Sequence, residues 1–255
     1  INIENIDDLR QIFKKEKPTF VVHLAAQAGV RFSLENPKKY LDSNIVGTFN
    51  VLECCRENPV KHLLHASTSS IYGANVSMPY KEIDKADNQI SFYAASKKAA
   101  EAILHTYSSL WDIPVTAFRF FTVYGPWGRP DMAFFKFTKN IINGKPIDIF
   151  NHGKMRRDFT YIDDIINSII LLKDVIPHNQ NSEKSNFIND SISTVAPYRV
   201  VNIGNSKPVE LLDFICEIEK AIGKDAIRNY QDMQKADVYE THADVTLLHE
   251  LIGYI

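Results

Sequence analysis

The sequence predicts an α/β protein built around a parallel sheet. Two observations carry this. Short apolar, β-branched runs alternate with helix-length amphipathic segments, the pattern that places helices over a parallel sheet. The early runs also end in small, hydroxylic or glycine-containing loops (AAQAG, ASTSSIYG and RFFTVYGPWGRP), and ligands of such sheets bind outside the carboxyl ends of the strands.

In order along the chain, INIENIDDLRQIFKKEKP reads as an amphipathic helix, and its first residue reads as a cut. TFVVHLAAQAG follows as a buried strand opening into a loop. A long helix is expected from Pro37 through PKKYLDSNIVGTFNVLECCREN, then a second buried strand in VKHLLHAST. After a loop, FYAASKKAAEAILHTY is a helix and PVTAFRFF a third strand. The pattern then loosens. AFFKFTKNIINGKPIDIF suggests a helix and short strand, and RRDFTYIDDIINSIILLKDVIP a turn and a helix. The polar stretch His178 to Ala196 reads as a mobile surface loop. YRVVNIG is a further strand, PVELLDFICEIEKAIG a helix, and the remainder a short tail without a closing element. No internal repeat is present.

Bulk properties narrow the function. The 255 residues suffice for one large domain or two smaller ones, and 45% hydrophobic with 24% charged residues is ordinary for a globular protein. A net charge of -2 gives no electrostatic reason to expect nucleic acid or an anionic membrane. Cys54, Cys55 and Cys216 form no disulfide framework, and no metal-ligand spacing occurs among the eight histidines, so no metal is expected. No apolar run is long enough to cross a bilayer and no signal peptide is evident, so the expected location is the cytoplasm.

Tyr93 and Lys97 lie four residues apart on one helix face. An ammonium beside a phenol favours the phenolate and lowers its pKa. Chance alone yields about one Tyr-x-x-x-Lys in such a chain, so the surroundings decide. ASTSSIYG lies about twenty residues earlier, supplying a hydroxyl at a strand end. That set resembles the extended short-chain dehydrogenase/reductase superfamily. HLAAQAGVRFSLENP, DSNIVGTFNVLE, YAASKKAAE, RFFTVYGPWGRPDMAFFKFTK, GKMRRDFTYIDDI and YRVVNIGNS resemble, in order, its UDP-glucuronate 4-epimerase family.

The resemblance implies a Rossmann-type doubly wound sheet, truncated at its N-terminus, with a smaller substrate domain. Residues 1–122, 160–177 and 197–204 would form the NAD-binding part; 123–159, 178–196 and 205–255 would take the UDP-sugar. The glycine-rich first strand that cradles the NAD pyrophosphate in the family is missing from these residues, as is the family's last helix. Family members also carry more glycine at MQKADV, where this chain has Lys235 and Ala236. The implied reaction is NAD-dependent 4-epimerisation of UDP-glucuronate to UDP-galacturonate through a 4-keto sugar. Epimerisation of neutral or N-acetylated UDP-hexoses, or a non-catalytic nucleotide-sugar-binding remnant, are the alternatives.

Residue by residue, the resemblance makes Tyr93 the base, with Lys97 sustaining it and Thr68 binding the reacting oxygen. Leu24, Ala25, Ala26, Asn44, Tyr93, Lys97 and Phe120 would contact NAD. Arg31, Ser69, Ser70, Thr122, Arg129, Phe150, Arg157 and Asp237 would contact the UDP-sugar, while Arg156 faces solvent. Related dehydratases carry an Asp-Glu pair after the threonine. Ser69 and Ser70 stand there and cannot serve as carboxyl acids or bases, which favours epimerisation over elimination. The helices around Phe49 and Ala100 resemble a four-helix homodimer interface.

Overall fold

The computed structural model describes residues 1–179, 187 and 189–253. Helix α1 (Ile6–Glu16) begins where the Asn5 side chain accepts from the Asp7 and Asp8 amides, and it buries Leu9 and Phe13. Strand β1 (Phe20–His23) leads through the AAQAG loop into two short helices, α2 (Val30–Glu35) and α3 (Pro37–Tyr40). The helix expected to run unbroken from Pro37 is interrupted. Leu41–Val46 form a π-helical turn before α4 (Gly47–Glu57) resumes. Such turns insert an extra residue and commonly sit at functional sites.

Strand β2 (His62–Thr68), helix α5 (Phe92–Trp111) and strand β3 (Val115–Phe120) follow as expected. Next come β4 (Thr122–Tyr124), α6 (Ala133–Ile142), β5 (Ile147–Ile149), β6 (Arg156–Tyr161) and α7 (Ile162–Leu172). The chain closes with β7 (Tyr198–Ile203), β8 (Pro208–Glu210), α8 (Leu211–Ile222), β9 (Arg228–Tyr230) and α9 (Thr246–Ile252).

The main sheet has the order β1-β2-β3-β7 and is parallel throughout. Successive side chains in a strand face opposite ways, and the core divides accordingly. Leu63, Ala117 and Val200 pack with Leu9, Val51 and Leu104 of the helices on one face. Their neighbours Leu64, Phe118 and Val201 pack with Ile165, Ile169 and Leu248 on the other. Helices therefore cover both faces, as in the Rossmann-type fold. Beside this sheet, β6 pairs parallel with β4 and antiparallel with β8, β5 pairs with β9, and α6 and α8 close a third core around Ile141 and Ile215.

Two further expectations are corrected. RRDFTY is a strand, not a turn: its three successive charged residues obscured a segment that pairs on two sides, with Asp158 fully buried. Asp158 accepts from the amides of Asn205, Ser206 and Ala243 at 2.8, 3.0 and 3.0 Å, which tie the end of β7 and the chain after β9 to β6. The tail does contain a closing element, α9, whose buried Leu247 and Leu248 are each worth about 1.5–3 kcal/mol of apolar burial. The loop expected over His178 to Ala196 falls partly outside the described residues, at 180–186 and 188. Its described end is anchored: Arg199 grips Asp190 through two hydrogen bonds of 3.0 Å, and Ala196 is buried. No described helix is long and apolar enough to cross a membrane.

Candidate active site

The ends of β2 and β3, the loop after β1 and the chain from β4 onward enclose one cavity of about 800 Å³. Thr68, Ser69, Ser70, Tyr93, Phe120, Thr122 and Arg129 line it from the sheet side. Arg31, Phe150, Arg157 and Asp237 line its far part. Eleven separately named sequence positions thus meet around one space.

Thr68 ends β2 and caps the short 3-10 turn that follows, accepting from the Ser70 amide at 3.2 Å and donating to the Ser70 hydroxyl at 3.2 Å. It is both a capping residue and a wall of the cavity. Ser91 caps α5 by accepting from the Ala94 amide, and this sets Tyr93 in the first turn, directed into the cavity. Tyr40, fully buried, meets the Tyr93 ring edge-on with centroids 6.0 Å apart.

The electrostatics differ from the expectation. Burial pushes the Tyr93 phenol up; a hydrogen bond with Thr68 and then the Arg129 charge act in the opposite direction. The Lys97 amine is buried and lies 3.3 Å from His65 Nε2, and among the described residues no hydrogen bond joins it to Tyr93. Burial pulls Lys97 down to about 8, with Glu101 opposing.

Several expected contacts lie off the cavity. Leu24, Ala25 and Ala26 are exposed at the end of β1, the edge strand of the sheet. Asn44 is fully buried within the π turn: Oδ1 accepts from the Gln27 amide at 2.7 Å, and Nδ2 donates to the Gln27 carbonyl at 3.0 Å and Ser96 Oγ at 2.9 Å. Ser96 in turn donates to the Tyr93 carbonyl. Asn44 therefore staples the loop after β1 to the first turn of α5, and the π turn aims it there. Arg156 is not simply solvent-facing, since it pairs with Glu210 and Glu240 at 3.1 and 3.3 Å.

At the far end, Arg157 donates to Asp237 at 3.0 Å and to the Val238 carbonyl at 2.8 Å. Burial draws its guanidinium down while Asp237 holds it up. Arg31 stacks on the Phe150 ring at 4.7 Å and reaches Asp237 at 3.7 Å. Arg129 is held by Asp131, which raises its pKa. Ala236, in the stretch where the family favours glycine, sits at φ 61, a left-handed conformation that strains any residue with a Cβ.

The sequence matches the NAD dependent epimerase/dehydratase family over residues 1–189, most of the chain. The chain belongs to that family. NAD is accordingly its cofactor. A probable UDP-glucuronate 4-epimerase of Rhizobium meliloti (strain 1021) is 53% identical over 238 residues, covering 93% of this chain and 70% of the relative. The crystal structure of a UDP-glucuronic acid 4-epimerase from Bacillus cereus, in complex with UDP-glucuronic acid and NAD, superposes with a TM-score of 0.84. It is 32% identical and is matched over 98% of this chain and 74% of its own. A UDP-glucose 4-epimerase from Thermotoga maritima with UDP-glucose gives a TM-score of 0.86 at 27% identity, over 100% and 77% of the two chains.

Reading the sequence missed three features here: the Asn44 staple, the buried His65 beside Lys97, and Tyr40 against Tyr93. HLLHAST did signal a histidine in a buried strand, but nothing local says which amine it meets.

Proposed function

We propose that this family member interconverts UDP-glucuronate and UDP-galacturonate, with Tyr93 as the base at the C4 hydroxyl. The observation that carries the reading is the composition of the sheet-side wall of the cavity. Thr68, Ser69, Ser70 and Thr122 present hydroxyls beside Tyr93, and no carboxyl follows Thr68 to drive an elimination. Hydroxyls can bind both a sugar oxygen and a uronate carboxylate. The Rhizobium relative and the Bacillus cereus structure bear names with this substrate, which supports the same choice.

The residues at the end of β1 fit NAD. Ala25 and Ala26 are small and exposed beside a loop held rigid by Asn44, which lets a flat ring approach the backbone. Bound there, NAD would supply the hydride acceptor and donor that oxidation and re-reduction of the sugar carbon require. Tyr93 holds and releases the hydroxyl proton, and Thr68 orients the same oxygen. Lys97, one turn on, brings positive charge close to the base. Arg157 and Arg31 would hold the diphosphate, and Phe150 and Asp237 the nucleoside. The same proposal assigns residues 1–122, 160–177 and 197–204 to the cofactor and 123–159, 178–196 and 205–255 to the substrate. Exposed Val46 and Phe49 beside Leu110 and Trp111 of α5 support pairing of two copies through these helices. Sedimentation should then give twice 29.1 kDa, and a strictly monomeric protein would refute the pairing.

A second reading keeps the chemistry and changes the sugar. Asp131 already neutralises Arg129, which suits a neutral UDP-hexose. One experiment tests both. The protein is incubated with NAD and either UDP-glucuronate or UDP-glucose, and the C4 epimer is followed by NMR. Uronate turnover is expected to dominate, and Tyr93→Phe should abolish it while leaving UDP-sugar binding intact. Preferential turnover of UDP-glucose would reject the uronate, and a Tyr93→Phe protein within a few-fold of the parent would reject the base.

A further inference from the structure

We infer that His65 is a positioning residue for Lys97, holding its amine through a hydrogen bond to Nε2 one turn below Tyr93. His65 lies on β2, three residues before Thr68, and is fully buried. Among the described residues, His65 is the only group hydrogen-bonded to Lys97 Nζ, at 3.3 Å. An ammonium has only protons to give, so Nε2 must be the acceptor and the ring proton must sit on Nδ1. Among the described residues, Nδ1 has no hydrogen-bond partner. A buried donor left unpaired destabilises the fold. An apolar side chain would remove that penalty, and a phenylalanine of similar size would fill the space. What a phenylalanine would not supply is an acceptor for Lys97.

The other groups facing the amine leave this task to His65. Glu101, on the same helix, receives two hydrogen bonds from Arg119 at 2.9 and 3.1 Å and one from Ser67 at 2.6 Å. His23, from β1, stands edge-on to the His65 ring with centroids 4.9 Å apart, and its Nε2 engages Thr48 Oγ1 at 3.1 Å. Protonating His65 would set two cations 3.3 Å apart in a buried place. Burial, then Lys97, then His23 all hold His65 neutral. The acceptor is therefore permanent across the pH range in which Lys97 itself titrates.

The inference rests on the reading of Lys97 as the partner of Tyr93, but its test does not use turnover. In lysine-labelled protein, the 13Cε and 15Nζ resonances of Lys97 are identified by their loss in Lys97→Met and followed against pH. His65→Phe removes the acceptor of the charged form, so the Lys97 titration should move down by about one pH unit or more. His65→Gln offers an amide oxygen and should restore much of the shift. An unmoved titration in His65→Phe, or equal shifts in both variants, would overturn the inference. Should His65→Phe not fold, the parent protein still decides. Histidine 15N correlation spectra must show His65 as the Nδ1–H tautomer, and the Nε2–H tautomer overturns the proposal. Failure here leaves the assigned reaction standing, and failure of the epimerisation assay leaves this contact standing.

Discussion

Mild acid should destabilise this protein well above the range in which ordinary carboxylates protonate. His23 and His62 are buried, and burial lowers them to about 3 and about 4. His65 is also held well below the ordinary value. Between pH 6.5 and these folded values, the unfolded chain binds a proton at each histidine and the folded chain does not, so stability falls as pH falls. Going from pH 7.5 to 5 costs about 2 kcal/mol for each of His23 and His62, and His65 acts in the same direction. Glu82 opposes them. Burial raises it to about 7, so the folded chain takes its proton first and regains about 2.4 kcal/mol over the same interval. His23, His62 and Glu82 together leave a net loss of about 1.5 kcal/mol, to which His65 adds, and this lowers Tm by roughly 5 °C. Urea unfolding at half-unit pH steps measures it. His62→Gln can keep both bonds, to the Lys173 carbonyl and to Thr116 Oγ1, and should shrink the loss by about 2 kcal/mol. Stability that stays flat from pH 7.5 to 5, or an unchanged loss in His62→Gln, would show that these rings are not neutral in the folded state.

Three other outcomes follow from single contacts. Glu101→Gln strips the counter-charge from buried Arg119 and should cost about 3–5 kcal/mol in denaturant unfolding, whereas a cost below about 1 kcal/mol would contradict the pair. Gly73→Ala places a methyl 2.1 Å from the Asn88 carbonyl oxygen at φ +54, so it should lower Tm by several degrees and loosen the loop over Ile71, read by amide exchange. Because Asp131 already pairs with Arg129, Arg129→Met should change kcat/KM for a UDP-uronate and for a neutral UDP-hexose by similar factors, and a loss of about tenfold or more confined to the uronate would show that the guanidinium leaves Asp131 to grip the sugar carboxylate.

Most of the fold was legible because it follows from local pattern. The four strands of the main sheet are short, largely apolar runs, and each lies where its run predicts. What escaped depends on partners distant in sequence. RRDFTY looks like a charged turn until β4, β8 and the amides around Asp158 are beside it. Leu247 and Leu248 are too few to declare a helix until α7 and β7 supply their surface. The site was legible in its residue types and order, and the cavity gathers Thr68, Tyr93, Arg129 and Arg157 from four separate stretches. Its internal wiring was not. Four-residue spacing sets Lys97 on the same face as Tyr93, but only tertiary packing decides that the amine turns to His65.

The charges around the cavity favour one orientation for the ligand. At the sheet end, Arg129 and Asp131 cancel, and what remains beside Tyr93 is a ring of hydroxyls. At the far end, two guanidiniums, Arg31 and Arg157, share the single carboxylate of Asp237, leaving one uncompensated positive charge. A diphosphate gains most at the second end, where it meets a net cation and two planar forks. The sugar then points to the first end, where hydroxyl partners can exchange with either face of its ring. Tight electrostatic gripping there would penalise the turn that epimerisation requires, because a charged clamp formed with one face must be broken to present the other. A pocket that anchors by its phosphates and holds its sugar by neutral hydrogen bonds would meet that need, and under the proposed function it would set the reacting carbon against Tyr93.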